Sequence, residues 1–210
     1  MYLKTLLYIG LFSFLSLSIT ANSATAETAA QSLQQLLAPI NSLSADFTQN
    51  IKDQDNNVYQ RLTGNLSLKK PNQLRWNVVT PTAQLIISDG ERVWLYDPDL
   101  EQVIIQSFSA DFKTNPISIL LGNLNQLNAD FTVTHITDNS FSLVPKQKNA
   151  LFAGIQLRFI DNILSHIDYQ DNFGQNTQLT LSQVTVNPQL ARTTFIFDIP
   201  QGVDIINHAR

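Results

Sequence analysis

Few residues in this chain stand where they could do chemistry, and the nearest candidates fail on spacing. Asp53, Asp55 and Asn57 occupy the first, third and fifth positions of a calcium loop, which needs oxygen ligands at alternate residues. The sixth position, however, is Val58 instead of Gly, and the twelfth is Gly64 instead of a bidentate Glu. The segment reads as a hairpin turn. Asp97, Asp99 and Glu101 offer carboxylates for acid-base work, yet they surround Pro98 in turn-like sequence, which suits a solvated turn better. His135, His166 and His208 share no spacing that makes a metal site and read as surface or edge histidines. No G-x-S-x-G, G-x-G-x-x-G, P-loop or H-E-x-x-H is present. Cysteine is absent, which removes disulfides, thiolate metal sites, Cys nucleophiles and the acylated Cys of a lipoprotein. The expectation is a protein that is not an enzyme and uses no metal and no cofactor.

With no catalytic group to position, the question becomes where the apolar residues go. Leu33, Leu36, Leu37 and Ile40 recur at i, i+3, i+4 and i+7, which predicts a short amphipathic helix over 28–40 with Pro39 near its end. From residue 42 the period changes to two. Leu43, Ala45, Phe47, Gln49 and Ile51 alternate with polar neighbours; after the Asp53 turn, Leu62, Gly64, Leu66 and Leu68 do the same. Leu74, Trp76 and Val78 share a face, and strands at 84–88, 92–96 and 102–106 follow across the turns Asp89-Gly90-Glu91 and Asp97-Pro98-Asp99. Residues 107–128 break the alternation. Pro116 can open a helix there, Ile117, Ile119, Leu120 and Leu121 follow, and Gly122 can close it.

Strands are expected again at 131–136, 140–145, 152–160, 163–170 and 176–187, with a short extended tail at 194–198, giving about 11 in all. A slip of the apolar phase between Leu181 and Val184 fits a β-bulge. The fold class is mainly β (α+β), in one domain. A sheet with one greasy face and only two short apolar helices is sparsely covered. Taken by themselves, the residues leave open a tightly filled core and a cavity.

The first 26 residues are of another kind. Lys4 is their only charge, Leu6–Ile19 is an apolar run broken only by Gly and Ser, and Ala24-Thr25-Ala26 supplies small residues at a cleavage site. A secretory signal peptide cut after Ala26 is expected, since the apolar run is short of the ~20 residues a spanning helix needs. That leaves a soluble mature domain, 27–210, in the periplasm. The formal net charge is −4, and losing Lys4 makes the mature chain more acidic. With no basic run, neither nucleic acid nor an anionic membrane surface is an expected partner.

Several segments resemble the LolA family of periplasmic lipoprotein carriers: Leu43-Ser-Ala-Asp-Phe-Thr-Gln49, Gly64-Asn-Leu-Ser-Leu-Lys-Lys-Pro-Asn-Gln-Leu-Arg-Trp76, Ser88-Asp-Gly90, Val93-Trp-Leu-Tyr-Asp-Pro-Asp-Leu-Glu-Gln-Val103, Asn115-Pro-Ile117 and Pro200-Gln-Gly-Val-Asp204. They run in order across essentially the whole mature chain. The resemblance implies an unclosed antiparallel β-barrel of about 11 strands with short helices forming a lid over an apolar cavity. It also implies a monomer that accepts acylated lipoproteins from the inner-membrane ABC transporter LolCDE and delivers them to the outer-membrane acceptor LolB.

On that resemblance, Phe47, Leu62, Leu66, Leu68, Leu74, Trp76 and Val78 are assigned to the acyl-binding wall, and Leu33, Leu36, Leu37, Ile117, Leu120 and Leu121 to the lid. Well-studied relatives carry Arg just before the Pro-Asn pair, where this chain has Lys70. Period two from Leu66 and Leu68 puts Lys70 on the inward side at a strand end, where it can act as a rim latch. It lacks the planar five-donor fork of Arg, so a looser lid is expected. The alternative for this position is a stem that snorkels its ammonium to water. Two rival functions stand beside the carrier. A lipid-sensing regulatory domain like the sensor half of RseB is expected to carry a second domain, whereas this chain ends at Arg210; a lipid hydrolase needs a nucleophile and base that the sequence does not offer.

Overall fold

The computed structural model describes residues 27–108, 116–122, 124–147, 150 and 152–209. The expected signal peptide, and 109–115 of the expected helical insertion, lie outside them. Helix α1 spans Ala29–Leu37, shorter than the 28–40 expected. Thr28 sits outside as its cap, in a reciprocal box: the Gln31 amide donates to Thr28 Oγ1 (3.3 Å), and the Thr28 amide donates to Gln31 Oε1 (2.9 Å). Ala38 still has helical angles (φ −61°, ψ −39°) and its amide donates to the Gln34 carbonyl, but Pro39 has no N–H to carry the ladder on, and the helix ends there. Ala30, Leu33 and Leu37 form its buried stripe.

The strands are β1 (Ser42–Lys52), β2 (Val58–Lys69), β3 (Gln73–Thr80), β4 (Gln84–Asp89), β5 (Arg92–Asp97), β6 (Gln102–Ser107), β7 (Phe131–Thr137), β8 (Ser140–Pro145), β9 (Phe152–Ile160), β10 (Ile163–Asp171), β11 (Asn176–Val186) and β12 (Asp204–Asn207). They form a single 12-stranded sheet in the order β12-β6-β5-β4-β3-β2-β1-β11-β10-β9-β8-β7. Every pairing is antiparallel except β12 with β6. The order runs from β12 at one edge to β7 at the other, so the sheet is unclosed.

Two of the register shifts in the sheet lie on strands that carry the inner apolar face. Between Ser44 and Asp46 the β1–β11 register slips against Thr185 and Ser182, with Gln183 at φ 51°; this is the bulge that the phase slip predicted. The second lies between Thr63 and Gly64 on β2. A Cβ on Gly64 would stand 1.9 Å from the Asn77 carbonyl oxygen and 2.9 Å from the Phe47 ring, so only glycine admits this approach. Phe47 in turn stacks on Trp76, centroids 4.1 Å apart at 27°.

Between β6 and β7 the chain forms 3₁₀ turns at Pro116–Leu120 and Leu124–Gln126 and one helical turn, α2 (Leu127–Asp130). The C-terminal tail departs from expectation. Residues 194–198 do not form an extended tail strand: Arg192–Phe195 is a 3₁₀ turn, and the strand lies further on, as β12, making twelve strands where about eleven were expected. The reason is burial on the outer face, where Ile87, Val103 and Ile105 need a cover. Phe195 is buried there, and Phe197 packs on Tyr96 at 5.4 Å.

Candidate functional site

The inner face of the sheet gathers the core. Leu43, Ala45, Phe47, Leu66, Leu68, Leu74 and Val78 from β1–β3 join Phe141, Leu143, Ile155, Leu157, Leu164, Ile167 and Leu179 from β8–β11, and α1 with the 116–121 segment lies over them. Period-two alternation puts these residues on one side of their strands, except in β10, where a register shift separates Leu164 from Ile167.

Two cavities among the described residues border this core. The smaller, of about 240 Å³, is walled by Leu62, Leu74, Trp76, Val78, Ile86, Ile117, Ile167, Tyr169 and Leu179, with Gln49 and Gln84 at its polar margin. Strands β4 and β10, which both line it, are five strands apart in the sheet order, about 24 Å in a flat sheet. The sheet must therefore curl. The larger cavity, about 510 Å³, lies between Lys70, Pro71 and Asn72 on one side and Phe131 and Phe152 on the other, roofed by Ile119, Leu121, Leu124 and Leu127. Ile117 lines one cavity and Ile119 and Leu121 the other, so the 3₁₀ turn stands between them.

The residues expected in the wall divide. Leu62, Leu74, Trp76 and Val78 line the smaller cavity, whereas Phe47, Leu66 and Leu68 line neither cavity and are packed in the core. Leu62 and Trp76 stay half exposed, as apolar side chains do at an unfilled space. Among the expected lid residues, Leu33, Leu37, Ile117, Leu120 and Leu121 are buried and Leu36 is half buried against the core. Of these, only Ile117 and Leu121 line either cavity. Residues that sequence reading did not assign are Ile86, Ile167, Tyr169 and Leu179 in one cavity and Ile119, Leu124, Phe131 and Phe152 in the other. Their alternation was readable, but which strands meet across the curl was not.

Lys70 lies in the turn just after β2, half buried, and its Nζ donates to the Leu37 carbonyl at 3.2 Å. That carbonyl ends α1 and also accepts from the Ile40 amide, just outside the helix, at 3.2 Å. A cation at this pole also complements the helix dipole. Burial pushes the Lys70 ammonium below its usual pKa. A second polar tie runs from Gln34 Nε2 to the Leu124 carbonyl.

The other polar groups serve local structure. Asp53 accepts from the amides of Asp55 (2.9 Å) and Asn57 (2.8 Å) and from Asn57 Nδ2 (3.1 Å). Hydrogen bonds from Asn57 hold its carboxyl below the usual carboxylate range. Asp97 closes its turn by accepting from the amides of Asp99 and Leu100, both at 3.1 Å. His135 packs on Phe141 and His166 Nδ1 meets Ser165 Oγ at 3.0 Å. Among the described residues no three His, Asp or Glu side chains gather to hold a metal.

This geometry can be set beside known proteins. Residues 38–198 match the family profile described as outer membrane lipoprotein carrier protein LolA. An outer-membrane lipoprotein carrier protein of Hahella chejuensis is 34% identical over 99% of this chain and 100% of its own length. One of Pseudomonas paraeruginosa is 38% identical over 85% of this chain and 87% of its own. In fold, the chain resembles a crystal structure of a LolA superfamily protein from Nitrosomonas europaea, with a TM-score of 0.51 at 14% identity, covering 82% of this chain and 99% of that one. The chain belongs to the LolA family, whose members are carriers and not enzymes.

Proposed function

We propose, from this family membership as premise, that the protein is a periplasmic chaperone that shields the acyl chains of lipoproteins in transit to the outer membrane. It accepts them from the inner-membrane transporter LolCDE and hands them to LolB. The observation that supports this best is the smaller cavity: an apolar wall of Leu62, Leu74, Trp76 and Val78, of which Leu62 and Trp76 are half exposed, under a 3₁₀ turn that contributes Ile117.

The energetics suit such a task. Exposing one CH₂ to water costs about 0.8 kcal/mol, so an acyl chain of about 14 such groups represents roughly 11 kcal/mol. A carrier has to offset most of that and no more, since stronger binding than the acceptor's would stop delivery. The cavities together are small beside several acyl chains, so loading requires the α1 and 116–121 cover to move outward. In this reading Phe47, Leu66 and Leu68 back the wall, and Leu33, Leu36, Leu37, Ile117, Leu120 and Leu121 are the apolar underside of the moving lid.

Lys70 is the latch. Its single bond to the Leu37 carbonyl favours the closed, empty form and is lost when the lid lifts. Lys70→Leu removes that bond and adds apolar surface for a bound chain. An added Leu contact of about 1.5 kcal/mol shifts the balance towards the loaded state by roughly tenfold. The test is release of a labelled lipoprotein from inner-membrane vesicles by purified mature protein with ATP, followed by transfer to LolB. Wild-type protein is expected to do both, and Lys70→Leu to load but deliver about tenfold more slowly. Release without ATP and no transfer would overturn the carrier reading; wild-type delivery by Lys70→Leu would make Lys70 a snorkelling lysine.

A further inference from the structure

Resting on the carrier reading for its purpose, we propose that the paired tips of the β1–β2 and β10–β11 hairpins form a docking knob. Its partner is a membrane-attached protein with an apolar socket rimmed by Lys or Arg, and Phe173 is the anchor. Phe173 is 85% exposed, with Tyr59 at 57% and Val58 at 51% on the same end of the sheet.

The loop that carries Phe173 is held rigidly without help from its ring. Asp171 Oδ1 accepts from the amides of Phe173 and Gln175, both at 2.9 Å, and Gly174 takes a φ of 85° that completes the turn. Gln54 Nε2 reaches across from the other hairpin to the Phe173 carbonyl at 2.8 Å, and the Tyr59 hydroxyl bonds Gln175. Asn172 Nδ2 ties the same loop to the Ala150 carbonyl at 2.6 Å. Every bond comes from backbone or from neighbours, so folding does not call for an aromatic at position 173. A large apolar side chain on a preorganised loop loses little freedom on binding, which is the profile of an interface anchor.

Charge selects the occupant. Residues 53–57 and 171–175 contain three aspartates and no lysine or arginine; Lys52 and Arg61 stand on the strands behind them. The Asp53 carboxyl, bonded by Asn57, stays ionised. An anionic leaflet repels this tip, and the three exposed apolar side chains give it little area to insert. A protein socket of opposite charge attracts it and covers the ring. Just behind the tip, on the same strands, Gln49, Leu62 and Tyr169 line the smaller cavity, so a partner seated on Phe173 rests on strands that wall the proposed cargo site.

The test uses the mature protein loaded with a lipoprotein labelled on its acyl chains. Transfer is followed into outer-membrane vesicles, the same vesicles after protease treatment, and protein-free liposomes of phosphatidylethanolamine and phosphatidylglycerol. Phe173→Ser is expected to raise the half-saturating concentration of intact vesicles roughly tenfold, with loading unchanged. Asp55→Lys is expected to raise it a few-fold and to flatten its salt dependence. An unchanged half-saturation in Phe173→Ser overturns the knob. Equal Phe173-dependent transfer to liposomes or protease-treated vesicles also overturns it, in favour of a lipid contact. If wild-type protein takes up no acyl-labelled probe, the carrier reading fails instead. Co-sedimentation of the unloaded protein with intact vesicles then decides the knob, by its dependence on Phe173.

Discussion

On the outer face of β3–β6, Ile87, Val103 and Ile105 are sealed under Phe195, while on the inner face of the same sheet Trp76 and Leu62 stay half exposed beside a cavity. Both faces alternate in the same way, and both are covered by a short segment from elsewhere in the chain. What differs is the attachment of the cover. The C-terminal strap is bonded through its backbone: β12 pairs with β6, the Asp204 amide donates to the Glu101 carbonyl and the His208 amide to the Ile105 carbonyl, both at 2.8 Å. Arg75 Nη1 adds a longer contact to the Thr194 carbonyl at 3.5 Å.

Among the described residues, the bonds that tie helix α1 to the sheet through the chain's backbone gather at its exit. The Lys70 amide donates to the Asn41 carbonyl at 2.8 Å, and Asn187 Nδ2 donates to the Pro39 carbonyl at 2.9 Å. Above that point the polar ties among the described residues are side-chain bonds, from Lys70 to Leu37 and from Gln34 to Leu124. Backbone ladders open only with their strand, whereas a few side-chain bonds and an apolar contact can be exchanged for ligand. A sealed face and an openable face thus arise from one sheet.

The contrast can be broken at four places. Gly64→Ala has the largest expected effect, because its methyl would meet a carbonyl oxygen at 1.9 Å exactly where β2 and β3 bend together. A loss of about 3 kcal/mol or more is expected, seen as a collapse of folded yield or of the denaturant midpoint. Phe195→Ala opens a hole under the sealed face and should cost about 3–5 kcal/mol, a fall in Tm of roughly 10 °C, while binding of an apolar dye persists in the protein that stays folded. If dye binding fell in proportion to the Phe195→Ala destabilisation, the two faces would not be independent.

Leu62→Glu should do the reverse. Its side chain is half exposed in the cavity wall, so stability changes little, but dye and acylated lipoprotein compete with a charge and bind about tenfold more weakly. Dye titration against both proteins checks it. The smallest effect is expected on the outer, polar face of β10, where Asp168 Oδ1 is buried with no hydrogen-bond partner among the described residues. Burial pushes its carboxyl pKa up, against the opposing charges of His166, Arg158 and Lys52. A raised folded-state pKa favours the protonated form. Its stabilisation is therefore present below the ordinary carboxylate value and lost as pH rises through the raised one. Asp168→Asn should gain about 1–2 °C in Tm at neutral pH, and that gain should vanish on acidification below the carboxylate range. A gain that is the same at every pH would assign it to packing instead.

Much of this was legible in one dimension. Alternation in Leu43–Ile51 and Leu62–Leu68 fixed which side of β1 and β2 is apolar, because side chains of a strand alternate regardless of what lies opposite. The slip near Leu181 announced its bulge for the same reason. Thr28 and Gln31 make a capping box, and Pro39 near the end of α1 is local chemistry. The C-terminal segment misled because Thr194–Asp198 alternates like a strand, yet the Thr194 and Ile196 amides bond back to Ala191 and Thr193 and make a turn.

Sequence by itself determined the elements up to the C-terminal strap, their apolar faces, the absence of familiar catalytic motifs and the family, since each depends on neighbours in the chain or on ordered short motifs. Only the tertiary structure decided which of those faces meet. Phe47, Leu66 and Leu68 follow the same alternation as Leu62 and Trp76, but the first three are packed in the core and the last two border a cavity. The curl that brings β4 to β10 sets that division, and it is a property of the whole sheet: twist and register shifts accumulated over many strands. The contact of Lys70 with Leu37 has the same origin, because 33 residues separate them and only the docking of α1 over the sheet closes that distance to 3.2 Å.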